Sequence, residues 1–470
     1  MKKGFKYFSI FALLMSLAGC GGTPASSSDS SQNSDTNDEL TFDTTKEVSI
    51  VFHHTMNGTL GSVLDEAIVR FRKIYPNINV EHTPIGGYDD VRDQMNTILA
   101  ADPASMPNMV YCYPDHVALY NQANSVVVLD RYINDPVYGF TQQQRDDFIS
   151  SYWNEGKEFG DNQMYSLPFS KSSEVMYYDK DFFAEHNLQV PDHWFAKTEN
   201  LADDPTSLEY VCDEIVKLDP LSYPLGYDSE SNWFITLCEQ LNSGYTSTDS
   251  NHYLFDNATN RNFVKKLKSW YDKHYFTTKA IYGQYTSNLF VNQKTNEARC
   301  YMSIGSSAGA SNQVPAGFEF EVGVAKIPQM DPTNGKVISQ GPNVAIFKKD
   351  NKQEVMASWL LLKFLTTDVS FQGNFSINSG YSPVIKSVYS TSAYTEFLDG
   401  ADGFSNITAM STKVARDQEN WYFTSPAFVG SSKARDEVGK IFVNVFSSIS
   451  SDIDGTIDAA FKNAIATLNA

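Results

Sequence analysis

Residues 47–85 read "EVSIVFHHTMNGTLGSVLDEAIVRFRKIYPNINVEHTPI". Val48 to Phe52 has the composition of a buried strand that ends at a polar turn. After the turn, Val63, Leu64, Ala67, Ile68, Phe71, Ile74 and Tyr75 recur at helical spacing, and Pro76 stops the helix. "NINVEHTPI" is a second strand. Continuing outward, "YDDVRDQMNTILAA" (88–101) predicts a helix, "NMVYCY" (108–113) a third strand, and "PDHVALYNQA" (114–123) another helix. Strand and helix in strict alternation predict an α/β protein with a parallel sheet. Ligands of such sheets sit beyond the carboxyl ends of the strands, where this chain carries His53, His54, Thr55, Tyr88, Asp89, Tyr113 and Asp115.

Upstream, "MKKGFKYFSIFALLMSLAGC" joins three lysines to an apolar run from Phe8 to Leu17 and then small residues. This pattern is a secretory signal peptide, too short to span a bilayer. Residues 21–46 are Gly, Ser, Thr, Asn and Asp with little to bury, which predicts a flexible tether reaching roughly 25–30 Å. The remaining body of about 420 residues exceeds one hydrophobic core, so two domains are expected. A formal charge of −20 makes nucleic acid an improbable partner. Cys112, Cys212, Cys238 and Cys300 match no metal or redox spacing, and leave disulfides and buried thiols both open. Adjacent His53 and His54, without an H-E-x-x-H pattern, predict no metal site, and no motif calls for a cofactor.

Downstream, Phe263, Val264, Leu267, Trp270 and Tyr271 form one helical face. Val438, Ile441, Phe442, Val445 and Phe446 form another. "EVMASWLLLKFLT" is apolar nearly all round, which predicts burial between elements. Gly305-Ser306-Ser307-Ala308-Gly309 fits G-x-S-x-G, the elbow that exposes a serine nucleophile in α/β-hydrolases. All eight histidines precede Ser307, so the hydrolase order Ser, acid, His is unavailable. The plainer reading is a small-residue turn that offers N–H groups and hydroxyls to a polar ligand. A surface-anchored glycan hydrolase or esterase using Ser307 is the alternative; glycan hydrolysis would need two carboxylates across the scissile bond.

Taken in order, several pieces resemble the extracellular solute-binding proteins of bacterial ATP-driven importers, in the family that takes up sugars and glycerol phosphates. Leu17-Ala18-Gly19-Cys20 resembles a lipobox. Residues 52–80 are similar to the family's first strand, turn, helix and second strand. "SLPFSKSSEVMYYDKDFF" (166–183) resembles its Pro-Phe and Tyr-Tyr-Asp-Lys-Asp signature, and "WLLLKFLTT" with "NSGYSPVIKSVY" its late helix and Gly-Tyr-x-Pro turn.

The resemblance implies a two-lobe clamshell of α/β lobes, of the periplasmic-binding-protein type, crossed three times by the chain. The crossings fall near Pro168–Ser170, Ser339–Gly341 and Gln372–Ser376. One lobe then comprises 47–169 plus 341–375, and the other 170–340 plus 376–470. It further implies a monomer lipidated at Cys20, held at the outer face of the bacterial cell membrane. That monomer would pass a small carbohydrate or polyol-phosphate ligand to a transmembrane permease, without catalysis.

Tyr88 and Tyr381 are similar to binding tyrosines of the family. Tyr113, Asp115 and Ser172 (with Lys171 as its competitor) follow at strand ends and the first crossing. Trp233 is a stacking platform or a packing residue. Ser306 and Ser307 would face the cleft from the second lobe. Gly341 would let backbone approach the ligand, and Asn343 would bond its hydroxyls. Where the glycerol-phosphate branch carries a phosphate-holding arginine, this chain aligns Ser431 or Ser432, with Lys433 and Arg435 nearby. That departure keeps a neutral sugar beside the phosphate ester as ligand.

Overall fold

The computed structural model describes residues 39–292, 297–403 and 406–470. The expected signal segment, Cys20 and the tether as far as residue 38 lie outside the described residues. Among the described residues no helix is long and apolar enough to cross a membrane.

Strand β1 (Val48–His54) buries every second residue, Val48, Ile50, Phe52 and His54, as a period of two requires. The following helix α1 (Gly58–Ile74) buries Leu64, Ala67, Ile68 and Phe71 against that face. It ends at Tyr75, whose N–H still reaches the Phe71 carbonyl, because Pro76 cannot continue it. Strand β2 (Ile78–Pro84), helix α2 (Tyr88–Ala101), strand β3 (Met109–Cys112) and helix α3 (Pro114–Gln122) continue the alternation.

The first sheet has the order β2-β1-β3-β11-β4, with β4 at Ser166–Pro168 and β11 at Asn343–Ile346. Strands β2, β1 and β3 pair in parallel and β4 runs in the same direction; β11 alone is reversed, antiparallel to both β3 and β4. The parallel expectation thus fails at the strand that arrives from the other sheet. That sheet contains β5 (Ser172–Asp179), β6 (Leu225–Tyr227), β7 (Phe276–Thr278) and β8 (Met302–Ser306). It is completed by β9 (Val322–Ala325), β10 (Val337–Gln340) and β12 (Tyr422–Phe423).

Each sheet has its own core. The first gathers Ile50, Phe71, Phe169, Trp359 and Phe371. The second gathers Tyr227, Trp233, Trp270, Phe442 and Phe461. Helix Lys352–Thr367 is buried along most of its length between elements, as its all-round apolar sequence predicts. The molecule is therefore a two-lobe α/β fold.

The chain passes from β4 to β5 through Phe169–Lys171, and returns from β10 to β11 through Gly341. At Gly341 (φ +105°) any Cβ would stand 2.4 Å from the Ser170 carbonyl oxygen, so the two passages touch backbone to backbone. The third passage does not fall at 372–376. Val384, Ile385, Val388, Tyr394 and Leu398 all belong to the first core. The turn after helix Val369–Ser379 folds them back, with the Ile149 N–H donating to the Val384 carbonyl and the Val384 N–H to Gln372 Oε1. The chain leaves that core only after helix Ser392–Asp399. The tether is also shorter than 21–46: Phe42 is buried in the first core, its N–H donating to the Tyr138 hydroxyl, and the Asp43 N–H donates to Gln353.

Candidate ligand-binding cleft

The strand ends of both lobes open onto one cavity of about 1080 Å³, large enough for an oligosaccharide. Its first-lobe wall is aromatic. Tyr88 opens α2 and Tyr113 caps α3. Their ring centroids lie 4.7 Å apart, and Tyr88 and Tyr381 join hydroxyl to hydroxyl at 2.7 Å. Burial pushes all three phenols up, so they remain neutral donors and acceptors. Asp115, in the first turn of α3, accepts from the His116 N–H at 3.0 Å. His116 is buried, and its Nδ1 has no protein partner.

The second-lobe wall is a polar network. Glu174 on β5 accepts from the Tyr227 hydroxyl (2.5 Å) and from Asn232 Nδ2 (2.7 Å). Burial drives the Glu174 carboxyl up to about 7, against the pull of those donors and of Arg435. Asn232 and Gln340 pair amide to amide, and Arg435 donates to Asn232 Oδ1. Asp228 accepts from the Thr286 N–H and hydroxyl. Its carboxylate lies so near Gly305 that a Cβ there would stand 2.9 Å from it. Gln313 Oε1, Ser339 Oγ and Ser425 Oγ, all on cleft-lining residues, are buried without a protein partner. Unpaired buried polar atoms in a cleft are a demand for ligand or water.

Tyr88, Tyr113, Asp115, Ser172, Ser306, Tyr381 and Ser432 all line this cavity. Four other candidates do not. Trp233 is fully buried and lies flat on Tyr227, with centroids 4.8 Å apart and planes 11° apart; it is core. Ser307 is fully buried, its Oγ accepting from the Ser173 N–H, so the G-x-S-x-G segment exposes no nucleophile there. Asn343 is sealed in the first sheet, its amide donating to Ser166 Oγ at 2.9 Å. Gly341 is spent on the contact between passages.

Sequence reading missed Glu174, Asp228, Asn232 and Gln340, which long-range strand pairing brings together. Arg435, named there only as a neighbour of Ser432, lines the cleft one helical turn beyond it. The three-residue spacing was the available signal. Among the described residues, no group of three or more His, Cys, Asp or Glu side chains is placed to hold a metal ion.

A two-lobe α/β fold with a tyrosine-lined, hydrogen-bonding cleft defines a small-molecule binding protein. Residues 66–399 match the model of the bacterial extracellular solute-binding proteins, and the chain belongs to that family. It is 21% identical over 374 residues to the sn-glycerol-3-phosphate-binding periplasmic protein UgpB of Escherichia coli (strain K12). That alignment covers 75% of this chain and 79% of the relative. Its fold is similar to that of UgpB from Mycobacterium tuberculosis in complex with glycerophosphocholine: TM-score 0.68, 19% identity, 90% of this chain and 99% of that one. It is likewise similar to the sugar-binding protein MalE of Xanthomonas citri: TM-score 0.70, 17% identity, 90% of this chain and 98% of that one.

Proposed function

We propose that this protein is a lipid-anchored extracellular receptor that captures a carbohydrate between its lobes and delivers it to an ATP-driven importer. The observation that carries the ligand class is the pairing of walls. Neutral tyrosine faces and hydroxyls stand opposite a buried carboxylate–amide network with unpaired oxygens. Aromatic faces suit the C–H surfaces of a sugar, and dense acceptors suit its hydroxyl hydrogens. No step of the reading involves bond chemistry. Cys20, through its lipid, holds the protein at the outer face of the cell membrane, and a permease in that membrane reads the closed form.

Arg435 supports a second ligand class, a glycerol phosphate ester, since a guanidinium in the cleft matches a phosphate group. Asp115, Glu174 and Asp228 line the same cavity and oppose a dianion. The neutral carbohydrate is therefore the first reading. Titration calorimetry with maltotriose, smaller sugars and glycerol 3-phosphate decides between them. Saturable heat with sugars and none with the phosphate ester supports the first; the converse, abolished by Arg435→Ala, supports the second. Heat with none of these, or product formation, ends the carbohydrate-receptor reading.

A further inference from the structure

Lys171 stands where the lobes join. It is fully buried between β4 and β5, in the first passage of the chain. Its ammonium donates to the Gly341 carbonyl at 2.9 Å, in the second passage, and to the Glu155 carboxylate. Its main chain pairs antiparallel with Ser382, N–H to carbonyl in both directions, within the Gly-Tyr-x-Pro turn itself. Glu155 ends helix Ser150–Glu155, is buried, and lines the cleft. One residue thus touches both lobe-to-lobe passages, the turn that precedes the third, and, in Glu155, a side chain of the cleft wall.

A buried ion pair is an expensive way to fill space, because removing two charges from water cancels much of their attraction. Burial pushes Glu155 up and Lys171 down, each against its charged form, while their mutual attraction opposes both shifts. Glu158 and Asp115 add negative charge around the pair. Glu158 also accepts, through its carbonyl, from the Ala427 N–H. Apolar side chains would fill this node at less cost but would not bind the Gly341 carbonyl, so the charge has geometric work to do.

We propose that Lys171 is the positioning residue of the hinge: by holding Glu155 and Gly341 on one ammonium, it makes the passages bend as a unit and sets the resting angle between the lobes. The inference concerns the free protein and is independent of which ligand the cleft takes.

The test uses the full chain carrying Gln94→Cys in α2 and Lys440→Cys in helix Ser431–Phe446, both exposed, labelled with a fluorophore pair. The four native thiols of the described chain are buried. Single-molecule energy transfer then gives the interlobe distance distribution without ligand. Lys171→Met and Glu155→Gln are each expected to broaden that distribution at least twofold. The double variant Lys171→Met/Glu155→Gln is expected to recover most of the lost melting temperature and to stay broad. Should Lys171→Met fail to fold, the near-isosteric Glu155→Gln carries the result. A lowered melting temperature with a distribution of wild-type width, or a double variant that is narrow again, overturns the inference and leaves the pair a structural one.

Discussion

The two walls of the cleft reach similar ends by different means. The first-lobe wall is organised by ring packing: Tyr88 touches Tyr111, Tyr113 and Tyr381, and Tyr111 packs on Phe169 of the core. The second-lobe wall is organised by hydrogen bonds from Glu174 outward to Tyr227, Asn232, Gln340 and Arg435. A packed wall tolerates loss of one polar atom, because its shape comes from neighbouring rings. A networked wall does not, because each removed group leaves a buried partner unsatisfied. The first wall should therefore govern affinity, and the second should govern stability and its dependence on pH.

The largest expected effect tests the second half of that contrast. Glu174 titrates near 7 in the folded protein against an ordinary value of 4.5. Between those values the folded state holds more protons than the unfolded one, so its stability falls as pH rises, by about 3 kcal/mol in all. Denaturant unfolding from pH 4.5 to 7 measures the slope, and Glu174→Gln flattens it. An unchanged slope in that variant would remove Glu174 from the account.

Next comes the aromatic wall. Tyr381→Ala weakens the tightest-binding sugar by about 2 kcal/mol, as loss of a buried anchor does, read by calorimetry. Wild-type affinity would move the ligand away from this wall. The hydroxyls alone are worth less: Tyr88→Phe and Tyr381→Phe, taken through a double-mutant cycle, couple by about 1 kcal/mol. The smallest effect separates the cleft from the layer beneath it. Ser307→Ala lowers unfolding free energy by roughly 0.5–1.5 kcal/mol through one lost hydrogen bond and leaves sugar affinity unchanged; a change in affinity would bring Ser307 back into the cleft.

What the sequence revealed divides along the same line. Strand β1, helix α1 and strand β2 were legible because their apolar residues recur at periods that burial enforces locally. Tyr88 and Tyr113 were placed on the first wall because they follow strand ends, and Tyr381 because it sits in a recognisable turn. The second wall is built across distant pairings: β5 lies beside β8 and β10, which carry residues more than a hundred positions away. No local period reports that. Trp233 stayed open between two roles for a related reason, since a stacking platform and a core ring share one composition and only Tyr227 beneath it separates them. The third passage was set too early because no local signal reports that Val384 to Leu398 complete the first core.

The four thiols Cys112, Cys212, Cys238 and Cys300 are each sealed in a core, and burial raises every one away from the reactive thiolate. Folding of the described residues consequently closes no disulfide. Among the described residues, therefore, no thiol offers an alkylating agent a handle on the native state.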